Sequence, residues 1–223
     1  MESTKNPTKK QMNEIKNCPN CQTELKSGLL SSIKILSKKA TAIINEYGEK
    51  KADVHCSKCG KELYEKANSK LQTEKNNLTA YLKDKINNIP VISTHTPLNW
   101  DYQVLEMVTG QSTTGTGVIT EFTSSFTDLF GAQSNRHNQK LKGGENMCFA
   151  QLRIQALNLG GNAIIATDID YSEIGAAKGM LMVCMAGTAI KLNNTEILEK
   201  EKSEIIDKLS YTNKRLKELE KFE

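Results

Sequence analysis

The 223-residue chain has no run of eighteen or more apolar residues, so no membrane-spanning helix is expected. Its opening stretch, MESTKNPTKKQMNEIKN, contains no apolar core of the kind a secretory signal needs, which makes a cytoplasmic protein the expectation. Aromatic residues are scarce, with one Trp, six Tyr and five Phe. That leaves little surface on which bases can stack and argues against a sequence-reading nucleic-acid domain. Catalytic signatures are missing as well. GQSTTGTG is not a phosphate-binding loop, because no Gly-Lys-Ser/Thr follows it. His95 and His137 are far apart, and neither lies in a nucleophile or metallohydrolase motif. The expectation is a non-enzymatic protein, although a pocket formed between subunits leaves no trace in one sequence.

What charge there is sits unevenly. Net charge is +4, yet residues 1–60 hold 11 Lys and Arg against 6 Asp and Glu, while residues 91–192 hold 6 against 8. A basic N-terminal third suits nucleic acid or another anionic surface. An excess of five over sixty residues is modest, and a solvated lysine-rich surface accounts for it more simply.

The pattern divides the chain into five segments. Residues 1–17 read as a polar, disordered tail. Residues 18–60 carry four of the six cysteines around an expected strand hairpin, KATAIINEY and KADVHC, turning near Gly48. Residues 61–90 read as a linking helix ended by Pro90, with Tyr64, Ala67, Leu71, Leu78, Leu82, Ile86 and Ile89 on one face. Residues 91–192 read as the main domain. VISTH and YQVLEMVTGQSTTGTG are its first strands, followed by a polar helix over GVITEFTSSFTDLFGA and a loop, QSNRHNQKLKGGEN. A stronger helix over MCFAQLRIQALNLGG follows, with Phe149, Leu152, Ala156 and Leu159 on one face and Gly160 as its C-cap. The strands NAIIATDIDY and MLMVCMAGTAIKL complete the domain. Residues 193–223 read as a charged helix with a coiled-coil-like seam of Leu198, Ile205, Thr212 and Leu219, beside Leu209 and Leu216.

Cys18-Pro-Asn-Cys21 and Cys56-Ser-Lys-Cys59 carry the strongest chemical signal. Two Cys-x-x-Cys pairs supply the four thiolates of a closed tetrahedral zinc site, and Gly60 lets the backbone fold back after the second pair. Such a site holds a fold together and leaves no position open for a substrate. Disulfides are disfavoured in a reducing cytosol, and a thioredoxin-like motif needs one pair, not two. His55, next to Cys56, is a spare donor that four cysteines make unnecessary. In these respects residues 18–60 resemble the zinc-ribbon class. Cys148 and Cys184 read as small core residues, although a place in the first turn of its helix gives Cys148 a route to a lowered thiol pKa.

Strand, strand, helix, strand, strand is an α+β order. GGNAIIATDIDYSEIG followed by MLMVCMAGTAIKL resembles the C-terminal half of the YbjQ-like family, described as heavy-metal-binding. The matching residues are Gly161, Asn162, Ala163, Ile164, Ile165, Ser172, Glu173, Ile174, Gly175, Gly187, Thr188, Ala189 and Ile190, and VISTHTPLNWDYQVLEMVTG resembles the family's opening. The resemblance covers about a hundred residues. It implies a β-α-β-β domain akin to a dodecin subunit, with a small antiparallel sheet on helices, assembled as a pentameric ring. It implies no catalytic mechanism and no ligand set. The middle loop, SNRHNQKLKGGEN, departs from the family by being longer and more polar.

The expected whole is a zinc-binding, ring-forming assembly protein that displays its ribbon and helices to a protein partner. Two alternatives stand beside it: metal or small-ligand binding at subunit interfaces of the ring, and nucleic-acid binding through the basic ribbon. Asp168 and Asp170 are the candidate ligand face. Strict alternation puts Ile164, Ala166, Asp168 and Asp170 on one face of the strand and Ile165, Thr167, Ile169 and Tyr171 on the other. Two carboxylates without a third donor are weak grounds for a metal. A sheet face meeting water or a neighbouring subunit's cations explains them as well.

Overall fold

A computed structural model describes residues 16–26, 32–49, 51–114, 138–174 and 180–223. The polar helix expected over 117–132, His137 and nearly all of the expected tail lie outside the described residues. The chain divides into two compact units, Met1–Asn77 with Lys217–Glu223, and Leu78–Leu216.

The first unit contains α1 (Lys38–Tyr47) and the N-terminal part of α2 (Ser57–Lys85). A helix at α1 corrects the expected hairpin. Thr41, Ile43, Ile44 and Tyr47 favour strands by type, but Ala40, Ile43, Ile44 and Tyr47 are also spaced i, i+3, i+4, i+7. Burial of Ala40, Ile43 and Ile44 on one face decides for the helix. Its start is set by Ser37, whose hydroxyl oxygen accepts from Ala40 N at 3.1 Å. At its end Gly48 N donates to Ile44 O at 2.7 Å, and a Cβ at Gly48 would lie 2.6 Å from that oxygen. Helix α2 begins within the second cysteine pair, earlier than the expected 61. Ala67 and Leu71 are buried on its expected face.

The second unit runs in the order β1 (Tyr102–Thr114), α3 (Asn138–Asn158), β2 (Ala163–Ile174), β3 (Met180–Leu192), and then most of α4 (Lys200–Glu220). The α+β expectation holds: among the described residues three antiparallel strands pair in the order β1-β3-β2. The expected strand at VISTH is corrected. Val91 makes a single parallel bridge to Ile164, and the following residues run extended beside β2, with Ile92 N donating to Ile164 O and Thr167 N to Ile92 O, each at 3.0 Å.

Helix α3 covers one sheet face. Cys148, Leu152, Ala156 and Leu157 meet Val108, Ile164, Val183, Met185 and Ala189, joined by Leu82, Ile86, Ile89 and Leu209. Each large side chain buried there contributes about 1.5–3 kcal/mol. The helix lies close enough that a Cβ at Gly110 would stand 2.7 Å from Cys148 O, so β1 needs glycine at that point. The helix starts at Asn138, inside the expected loop, and its buried stripe passes through Cys148 and Leu152. Leu159, expected in that stripe, is 40% exposed. Gly160 does terminate it, at φ +84°, with Gly161 N donating to Ala156 O and Gly160 N to Leu157 O, the paired bonds of a Schellman end.

Three side chains extend the sheet's hydrogen bonding. Asn162, 2% exposed, accepts from Leu192 N at 2.7 Å and donates to Leu192 O at 3.0 Å, so its amide stands in for a strand residue before β2 begins. On the open edge of β1, Gln151 and Gln155 of α3 satisfy the outward backbone groups of Gln111 and Thr109.

Candidate metal centre

Both cysteine pairs are set by local backbone bonding. In the first, Cys18 N donates to Thr23 O and Gln22 N donates to Cys18 O, each at 2.8 Å, with Gln22 at φ 57° closing the turn. In the second, residues 34–36 run antiparallel to 55–57: Leu36 N donates to His55 O and Ser57 N to Lys34 O. Gly60 N then donates to Cys56 O at 2.8 Å as α2 begins. The sulfurs consequently converge, all within 4.8 Å of one another. Cys18 Sγ lies 3.8 Å from Cys59 Sγ, Cys21 Sγ 3.6 Å from Cys56 Sγ, and Cys56 Sγ 3.7 Å from Cys59 Sγ.

Those separations discriminate between chemistries. A disulfide requires about 2.0 Å, and all four cysteines are free. A tetrahedron with metal–sulfur bonds of about 2.3 Å has edges of about 3.8 Å, which the three distances approach. The donor set therefore fits a tetrahedral thiophilic ion. Cys18 and Cys56 are fully buried, whereas Cys21 and Cys59 are half-buried.

The two half-buried thiols sit in different electrostatic surroundings. Hydrogen bonds from the Thr23 side chain and backbone favour the Cys21 thiolate and draw it down to about 6, against the opposing effect of burial. Burial pushes Cys59 up to about 12. Four sulfurs this close do not all ionise without a counter-charge, since like charges disfavour one another, a charge that a divalent cation would supply. His55 is 1% exposed, and burial holds its imidazole below the ordinary histidine range. Its Nδ1 lies 3.0 Å from Asn20 Nδ2 and 4.0 Å from Cys59 Sγ. Asn20 was not distinguishable in the sequence, where it reads only as a small residue inside a knuckle.

Asp168 and Asp170 stand elsewhere, in the second unit. They do share a face, as alternation required, but not with Ile164. The register slips between Ile165 and Asp168, with Ala166 at φ 52°, and the bulge inserts one extra residue. Beyond it Tyr171 points to α3, its hydroxyl donating to Glu145 Oε1 at 2.9 Å, and the two aspartates face away from that helix. Both are exposed, and Asp170 Oδ1 accepts from Tyr171 N. Among the described residues only the four cysteines form a converging group of three or more His, Cys, Asp or Glu donors. His95 is exposed. Cys148 lies deep in α3 rather than in its first turn. Burial pushes its thiol up to about 12, which corrects the expectation of a dipole-lowered thiol. Cys184 is half-buried, not fully buried.

These features define a small α+β domain joined to a four-thiol centre. The family model described as "Putative heavy-metal-binding", YbjQ, matches residues 91–193. A UPF0145 protein of Clostridium botulinum (strain Alaska E43 / Type E3) is 33% identical over 103 residues, covering 45% of this chain and 97% of the relative. A second, from Anoxybacillus flavithermus (strain DSM 21510 / WK1), is 36% identical over 90 residues, covering 40% and 84%. A crystal structure of a protein of unknown function of the DUF74 family from Pediococcus pentosaceus is 18% identical, with a TM-score of 0.30, covering 46% of this chain and 96% of that one. The chain belongs to the YbjQ (UPF0145) family. Its four-cysteine centre precedes the matched residues, so the family description does not refer to those thiols.

Proposed function

We propose that this protein is a zinc-binding assembly protein in which Cys18, Cys21, Cys56 and Cys59 hold one structural Zn2+, while the YbjQ domain associates into a dodecin-like ring. The observation that carries the metal reading is the set of sulfur separations of 3.6–3.8 Å between knuckles 35 and 41 residues apart and within the second knuckle. When bound, zinc ties the two knuckles together and, with four thiolates around it, leaves no site for a substrate. Zinc is preferred over a harder ion because an all-thiolate set suits soft or borderline metals.

Support for self-association comes from the family resemblance and from the sheet face opposite α3. There Val104 and Met107 of β1 remain 60% and 70% exposed. A ring would display several copies of the cysteine module to one protein partner and raise its effective concentration. Light scattering on size-separated full-length protein tests the ring: a multimer of defined size is expected, and a strict monomer at micromolar concentration contradicts it. A second reading, a metal or small ligand held near Asp168 and Asp170 between subunits, draws on the family description of residues 91–193. Metal that stays bound after the four cysteines are replaced by serine would favour it.

A further inference from the structure

Next to the cysteine centre lies a polar pair that the four ligands do not account for. Asn20 belongs to the first knuckle, while His55 and Cys59 belong to the second. One amide nitrogen, Asn20 Nδ2, stands 3.0 Å from His55 Nδ1 and 3.6 Å from Cys59 Sγ. A side-chain amide carries two hydrogens on that nitrogen, one for each neighbour. The ring nitrogen then accepts, and the imidazole proton sits on Nε2.

His55 occupies this place at a cost. It is 1% exposed, and Nε2 is buried with no hydrogen-bond partner among the described residues. An apolar side chain of similar volume would avoid leaving that donor unmatched. The backbone also packs closely on His55: a Cβ at Gly60 would lie 2.8 Å from His55 Cβ and 2.6 Å from Leu36 Cδ1. The polar function the ring performs is at Nδ1, where it holds the Asn20 amide.

Resting on the metal-binding reading above, we propose that His55 and Asn20 form an outer shell in which His55 orients the Asn20 amide to donate to the Cys59 sulfur, holding that thiolate on the metal. Cys21 has its own support from Thr23 within the same knuckle, at 3.3 Å. Cys59 draws its support from across the centre, 39 residues away in the chain. The pair therefore forms only when both knuckles are assembled, and it links ligand strength to closure of the site. Partners of this kind orient ligands and change metal affinity by about 10–100-fold when removed. Asn20 and His55 are positioning residues here and touch no metal.

Full-length protein loaded with Zn2+ is titrated with a chromophoric chelator, and with Co2+ in place of Zn2+ its absorption spectrum is recorded, for wild type, Asn20→Ala, His55→Phe and the double variant. Asn20→Ala is expected to keep one metal per chain and a four-thiolate cobalt spectrum, yet yield its zinc about 10–100-fold more readily. The double variant should lose no more than about twofold beyond either single, because the two residues act as a unit. Zinc retention by Asn20→Ala within about twofold of wild type overturns the proposal, as does additivity in the double variant. Asn20 is exposed, so its variant decides the matter even if His55→Phe does not fold. A wild-type chain that takes up no metal overturns both this and the metal reading. One that binds metal while Asn20→Ala is unaffected overturns this inference alone.

Discussion

Replacing Asn162 removes a side chain that stands in for backbone. In wild type its amide accepts from Leu192 N at 2.7 Å and donates to Leu192 O at 3.0 Å, both inside a site where Asn162 and Leu192 are each 2% exposed. Asn162→Ala leaves one buried N–H and one buried C=O without partners. Each orphaned group costs about 1–3 kcal/mol, and partial access of water brings the total to about 2–4 kcal/mol. Asn162→Leu keeps most of the volume but orphans the same two groups, so it separates hydrogen bonding from cavity formation. Trp100, the single tryptophan, packs against Ala163, Ile165 and Ile190 next to this site and reports unfolding of the same unit. With a slope of about 2 kcal/mol per molar urea, its fluorescence midpoint should fall by about 1–2 M in both variants. If Asn162→Leu unfolds within about 0.5 kcal/mol of wild type, the amide does not complete the sheet and the reasoning fails.

Two glycines should respond in opposite directions. Gly110→Ala places a Cβ 2.7 Å from Cys148 O and 2.8 Å from Leu152 Cδ1, and is expected to destabilise by about 1–3 kcal/mol. Gly143→Ala, inside α3 with nothing within 4 Å among the described residues, should stabilise by about 0.5–1 kcal/mol, and urea unfolding distinguishes the signs. Cys148, pushed up to about 12 by burial, keeps its proton in the folded state longer than in the unfolded chain. Its contribution to stability is then full below about pH 9 and is lost as pH rises from 9 towards 12. Unfolding midpoints measured across that range should fall less steeply in Cys148→Ala than in wild type.

The parts of this fold legible in the sequence are those whose signal is local. Strands β2 and β3, the Schellman end at Gly160 and the buried face of α2 all follow from period, type and punctuation within a few residues. Helix α1 reads as a strand because its β-branched residues outweigh the i, i+3, i+4, i+7 spacing that the same stretch carries. Helix α3 starts within a polar stretch containing Gly143 and Gly144. The second of these suits a close approach to the sheet, where its Cβ would meet Val183 Cγ2 at 3.1 Å. The bulge at Ala166 reverses which face Asp168 and Asp170 occupy, and a positive φ at alanine has no sequence signature. The four-cysteine cluster was legible because two Cys-x-x-Cys pairs carry their own geometry. Asn20 was not, because its two partners lie 35 and 39 residues away.

That Cys18, Cys21, Cys56 and Cys59 of one chain hold one zinc ion is decided by metal analysis of purified full-length protein. One zinc per chain is expected, falling to none when Cys56 and Cys59 are both replaced by serine. A wild-type chain without zinc, or a doubly substituted chain that keeps its full complement, would contradict it.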